Sequence, residues 1–343
     1  MGKERQSNIE LLRLVAIFLI VMMHAAGSLI GTDYLPNRIG LTAINAVGNM
    51  GVTVFMLISG FFGIHFRWSR LWTIWAMALC YSLLELCAGV WMSGCFSVEA
   101  LYHALTPVTS RHWWFLTCYV VIFCLSPFLN RAVTGLTRRQ MEWLLGVLLF
   151  FFVVSPTLLR NSLTDDMGGK GLPNLITAYL TGQYLRHYPL PERWVRHSGK
   201  WVLACVSLAF VLSLAAGSVK PQATILFCKD NNLLMVAGAI ALFCWVRQHT
   251  FRSSLVNKLA TYVFPLYLLN QTILWWFHSI LGTHTHSGLF WGYYVAALAA
   301  VVASTLVVEW LRRRLLSKAI DAVARRIRVY DFQWDVANAG SHR

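Results

Sequence analysis

The stretch NIELLRLVAIFLIVMMHAAGSLI, residues 8–30, is long and apolar enough to cross a bilayer, yet it carries Arg13 and His24. These two lie eleven positions apart, and at about 100° per residue a helix then returns to within about 20° of the same face, about 16 Å further along. Counted from Ile9 as the inner edge, Arg13 is about 6 Å deep and His24 about 22 Å, one near the inner face and the other past the midplane. The stretch therefore reads as a spanning helix with one polar stripe marked at two depths. A cleaved leader is the competing reading, because Lys3 and Arg5 precede the run and Ala25, Ala26, Gly27 and Ser28 end it. An arginine and a histidine inside the apolar run argue against a leader.

The rest of the chain has the same character. Of its 343 residues 57% are hydrophobic and only 13% charged, which places it in a membrane and outside the soluble globular class. Mainly apolar segments fall near residues 9–30, 41–65, 71–94, 113–130, 141–160, 172–188, 200–218, 232–248, 257–280 and 289–311. These continuous runs exclude a β-barrel, which needs shorter alternating segments, and predict an all-α bundle of about ten transmembrane helices.

The net charge of +15 does not point to nucleic acid, because the basic residues form short clusters between apolar runs and no single stripe. With the N-terminus inside, cytoplasmic segments carry Arg67, Arg70, Arg131, Arg138, Arg139, Arg186 and others, while the outer side keeps only Arg38, Arg111, Arg160, Lys170, Lys220 and Lys229. This asymmetry predicts that both termini are cytoplasmic. Beyond residue 311, a basic tail over 312–343 spaces Leu315, Leu316, Ile320, Val323 and Ile327 as an amphipathic helix on the inner leaflet would. The eight cysteines contain no CxxC pair, and most sit inside apolar runs as small hydrophobes.

Several polar residues stand out as chemistry. An ionisable group deep in a bilayer faces the bundle or a wet cavity, and imidazole is suited to take a proton near neutral pH, so His24 is a candidate general base. Arg13 fits either a catalytic or donor-binding role on the same stripe or a side chain snorkelling to the headgroups. Arg67 and Arg70 share a helix face at the cytoplasmic exit of the second span. Two guanidiniums there suit a polyphosphate, although plain topological anchoring explains them too. Glu85, about 21 Å into the third span, lies near the depth of His24 and is a candidate to orient it; a structural hydrogen-bonding role fits as well. His112, Trp113 and Trp114 open the fourth span at its outer end, as an interfacial anchor or as an aromatic platform for a sugar acceptor. His278, His284 and His286 have no acidic companion, and no metal is expected.

Taken together, Arg13-x10-His24, the second-span VFMLISGFF, Arg67-x-x-Arg70 and WWFLTCYVVIFCLSPFLN at 113–130 resemble the acyltransferase-3 family of integral membrane O-acyltransferases, and most closely a subgroup that modifies bacterial surface polysaccharides. The resemblance covers residues 1–311. It implies transfer of an acyl group, usually acetyl, from cytoplasmic acyl-coenzyme A to a sugar hydroxyl at the outer face of a bacterial inner membrane. Arg13 and His24 would be catalytic, and Arg67 and Arg70 would serve the donor. One departure is LYLLNQ at 266–271, where Asn270 stands in place of a histidine common in relatives. With no GxSxG element, direct transfer is expected over an acyl-enzyme. A secondary transporter or flippase for a saccharide remains the rival class.

Overall fold

The chain folds as an α-helical membrane protein. A computed structural model describes residues 5–160, 163 and 168–340, without the side chains of Ser28 and residues 332–340; Lys3 lies outside the described residues. Among these residues no strand occurs. The helices are α1 (Ser7–Ala26), α2 (Leu35–Gly48), α3 (Met50–Phe62), α4 (Trp68–Ser93), α5 (Val98–Leu105), α6 (Trp114–Gly135), α7 (Arg138–Leu149), α8 (Leu172–His187), α9 (Glu192–Arg196), α10 (Ser198–Val219), α11 (Leu233–Gln248), α12 (Ser254–Leu259), α13 (Val263–Thr283) and α14 (Phe290–Gly340).

Seven described helical segments are long and apolar enough to cross a membrane: Ser7–Ala26, Leu35–Phe62, Trp68–Ser93, Trp114–Gly135, Arg138–Leu159, Ser198–Val219 and Phe290–Asp331. The other three expected spans correspond to α8, α11 and α13. The first two have only 16 residues each, about 24 Å of helix against a hydrocarbon core of about 30 Å. α13 is longer, but Asn270, Gln271, Thr272 and His278 dilute its apolar character.

The chain divides into two compact units, Met1–Gly63 with Ala132–Thr305, and Ile64–Arg131 with Leu306–Arg343. In the first, α1 belongs to two hydrophobic clusters. Its N-terminal half places Ile9, Leu12 and Ala16 against Val54, Leu57, Met235 and Phe243 of α3 and α11. Its C-terminal half places Val21 and Ala25 against Leu41, Ile273, Phe290 and Tyr294 of α2, α13 and α14. The start of α1 is fixed by polar contacts as well: Ser7 Oγ donates to Asn257 Oδ1 at 3.1 Å, and Asn8 Nδ2 to the Val246 carbonyl at 3.1 Å.

α3 and α8 approach backbone to backbone. A methyl group added at Gly60 would lie 1.9 Å from the Tyr179 carbonyl oxygen, and one at Gly182 would lie 2.3 Å from that of Leu57. Small residues permit this close crossing, which maximises dispersion contact where lipid supplies no hydrophobic drive.

In the second unit a buried carboxylate organises the packing. Glu309 receives Tyr81 Oη at 2.7 Å, Arg312 through Nε at 2.6 Å and Nη2 at 2.8 Å, and Arg313 Nε at 2.6 Å. Asp331 accepts the Ser69 amide at 3.2 Å and also the Ser69 hydroxyl, capping the start of α4 from a distant part of the chain. The basic tail is continuous in helix with the preceding span. Residues 312–340 continue α14, whose 51 residues extend about 76 Å, and Ile320 and Ala324 are buried.

Two variants test the α3–α8 crossing. Gly60→Ala forces the two backbones apart and lowers stability by about 1–3 kcal/mol, read as a reduced melting temperature in detergent. Gly146→Ala in α7, where no atom lies within 4 Å of the added methyl, leaves the melting temperature unchanged or slightly raised. Equal effects of the two would contradict the close-packing account.

Candidate functional site

His24 lies in the last turn of α1, and Gly27 at φ 44° ends that helix directly after it. Its Nδ1 is 2.7 Å from Oδ1 of Asn270, a fully buried residue of α13. The asparagine's own Nδ2 donates to the carbonyls of Leu266 at 3.2 Å and Tyr267 at 2.5 Å. Reversing the amide would press its oxygen against two carbonyl oxygens, so the network fixes Oδ1 towards the imidazole. An amide oxygen only accepts, and Nδ1 therefore carries the hydrogen. Neutral His24 is left with its lone pair on Nε2, which has no hydrogen-bond partner among the described residues.

His24 lines a chamber of about 600 Å³ inside the first unit, together with Asn45, Asn49, Lys170, Lys229, Asp230, Gln271, Trp275 and His278. This volume falls within the range of small-molecule sites. Its wall mixes amides, charges and one large aromatic ring, as a binding site for a polar ligand requires. Asn45 and Asn49 are held in place by α2, their Nδ2 atoms donating to the carbonyls of Leu41 and Asn45, each at 3.0 Å.

Arg13 is half-buried on the same helix and does not line the chamber. Its Nη1 pairs with Glu10 Oε1 at 2.8 Å, one turn back along α1. Sequence reading had assigned Glu10 no role, although the i, i+3 spacing is a sufficient signal for this pair.

The remaining expected site residues lie in the second unit. Arg67 occupies the cap position of α4 and Arg70 its first turn; both are exposed, and neither side chain has a hydrogen-bond partner among the described residues. Glu85 Oε2 is 2.5 Å from Nε2 of His112. The hydrogen bond described for Glu85 is thus to His112, and Asn270 holds the His24 nitrogen that Glu85 was expected to orient. His112 stands edge-on to Trp113, with ring centroids 4.4 Å apart.

Of the expected aromatic platform, His112 lines a second cavity of about 620 Å³ with Glu85, Ser82, Ser93, Ser97 and His103. Trp113 is buried and Trp114 half-buried. Of the outer histidines, His278 lines the first chamber and His284 stacks on Tyr293 with centroids 4.5 Å apart. Among the described residues no group of three His, Cys, Asp or Glu side chains is placed to hold a metal ion.

The sequence reading noted Asn270 only as a departure from a pattern. The amides Asn270 and Gln271 in the middle of an otherwise largely apolar span are themselves a signal, because such groups must find partners inside the bundle.

No curated protein and no solved structure matches this chain. The model of one family, described as an acyltransferase domain, matches residues 6–310, nearly the whole sequence. The match covers nearly the whole described chain and agrees with its long apolar helices: the chain belongs to the acyltransferase-3 family and is a multi-pass membrane acyltransferase.

Proposed function

We propose that the protein moves an acetyl group from cytoplasmic acetyl-coenzyme A to a hydroxyl of a cell-surface glycan, or of its lipid-linked precursor, at the outer face of a bacterial inner membrane, with both chain termini in the cytoplasm. The observation that carries this reading is the His24–Asn270 bond of 2.7 Å at the wall of a polar chamber. A thioester is already activated, so the protein needs to position it, accept a proton from the attacking hydroxyl and stabilise the oxyanion.

In this scheme Nε2 of His24 takes the hydroxyl proton as the sugar oxygen bonds to the acyl carbon. The carbon–sulfur bond then breaks, the coenzyme A thiolate departs, and the proton on the imidazole returns to that sulfur. Asn270 acts as a positioning residue: it holds the hydrogen on Nδ1 without adding a charge, so the imidazole stays neutral and basic at the nitrogen that faces reaction. Arg67 and Arg70 take phosphates of the donor nucleotide through charge-assisted hydrogen bonds. Arg13, paired with Glu10, serves the donor end of the α1 stripe.

Three variants of the protein, purified in liposomes with labelled acetyl-coenzyme A and isolated surface glycan, examine these roles. His24→Ala lowers label transfer and thiol release by about 10²–10⁴-fold. Asn270→Leu, which keeps the imidazole and loses its orientation, lowers kcat by about tenfold to a hundredfold with little change in KM for the donor. Arg67→Gln combined with Arg70→Gln raises that KM by about tenfold or more and spares kcat. Full activity in His24→Ala would remove the general-base mechanism. Saccharide movement across the liposome without thiol release would favour transport.

A further inference from the structure

Two lysines from distant parts of the chain meet in the chamber that holds His24, and their meeting is built into the backbone. Gly168 and Gly169 adopt φ of 88° and 101°, values that a side chain strongly disfavours. Space excludes a side chain as well. A Cβ at Gly168 would lie 3.0 Å from Cδ of Lys229, and one at Gly169 would lie 2.7 Å from the Asn231 amide nitrogen.

The two glycines thus let one loop lie flat on the other. The Asn231 amide donates to the Gly168 carbonyl at 3.3 Å, and the buried Asn174, in the first turn of α8, donates to the Gly169 carbonyl at 3.1 Å. On the other loop Asn232 accepts the Leu234 amide at 2.9 Å and caps α11. The paired loops are therefore fixed to the starts of two helices. Lys170 follows the glycine pair directly, and Lys229 rests its stem against Gly168.

Of the six basic residues that the sequence assigns to the outer side, these two line the chamber. Among the described residues one carboxylate, Asp230, lines it with them, and the other polar side chains are amides, imidazoles and the Cys228 thiol. Among the described residues that line the chamber two ammonium groups stand against one carboxylate, and in a partly enclosed space low-dielectric walls strengthen their attraction for an anion. A neutral sugar offers the lysines only hydroxyl acceptors, whereas an oxyanion forms the stronger charge-assisted hydrogen bonds with them.

Building on the proposed acyl transfer, we infer that the acceptor is an anionic saccharide whose oxyanion Lys170 and Lys229 bind, holding a neighbouring hydroxyl towards Nε2 of His24. The oxyanion is a sugar carboxylate, as in a uronic acid, or the phosphate that links a saccharide to a lipid carrier. Both present the same chemistry to the lysines.

Binding to the full-length protein in zwitterionic nanodiscs, without donor, tests this directly. In one arm oligogalacturonides are compared with their carboxyl-reduced galactose counterparts; in the other, a neutral disaccharide on a polyprenyl pyrophosphate is compared with the free disaccharide. In at least one arm the anionic partner binds about tenfold tighter, and the difference shrinks as salt rises. Lys170→Gln with Lys229→Gln removes the preference, Lys170→Arg with Lys229→Arg keeps it, and Lys220→Gln, outside the chamber, does not alter it. Retention of the arginine pair separates a charge effect from misfolding.

Equal binding of charged and neutral partners in both arms, or a preference that survives the double glutamine variant, overturns the inference. Thiol release supported only by neutral saccharides would do the same and leave acyl transfer standing. Preferential anion binding with no thiol release in the wild type would instead remove acyl transfer and leave the anionic ligand.

Discussion

A half-buried imidazole and a fully buried amide joined by one hydrogen bond constrain the helices that carry them. The Asn270 oxygen would cost a few kcal/mol if left unpaired away from water, which favours the register of α1 against α13 that brings His24 to it. That register is compatible with the two apolar clusters that α1 enters, one through its N-terminal half and one through its C-terminal half. The same bond that satisfies packing also decides which nitrogen of the ring can accept a proton. Structural necessity and chemical competence coincide at one contact.

Much of this was legible in the sequence, because helix geometry and bilayer thickness are local rules. The spanning character of α1, the shared stripe of Arg13 and His24 and the all-helical class follow from apolar run length and about 100° per residue. The family was legible through ordered motifs. Partners distant in sequence were not: nothing near His24 shows that its companion lies on α13, and depth alone made Glu85 an equally reasonable choice. Glu85 instead meets His112, within its own unit. The lengths of α8 and α11, 16 residues each, were not legible, because hydropathy reports apolarity without reporting that a helix ends. Their buried polar residues, among them Asn174 and Gln183 on α8, mark the interior better than any hydropathy average. The contacts of the tail with α4, through Ser69 and Trp72, were not legible either, because they join residues about 250 positions apart.

The second unit solves the same polar problem with charge. Glu309 is ionically and geometrically saturated by two arginines and a tyrosine, whereas His24 is met by a neutral amide. The contrast suits the base proposed at His24. A carboxylate locked by several donors is inert and holds helices together, while an imidazole with one nitrogen engaged keeps the other available for chemistry.

The contacts that close the fold span most of the polypeptide: His24 to Asn270 across 246 residues, Tyr81 to Glu309 across 228 and Ser69 to Asp331 across 262. At ribosomal rates of about 5–20 residues per second, the first helix enters the bilayer about 12–50 s before its partner is synthesised. During that interval an unpaired imidazole sits in a nascent membrane segment. Insertion of this protein is therefore a problem of waiting as much as of hydrophobicity: the early helices must be sheltered, by the insertion machinery or by one another, until nearly the last span arrives to complete the site.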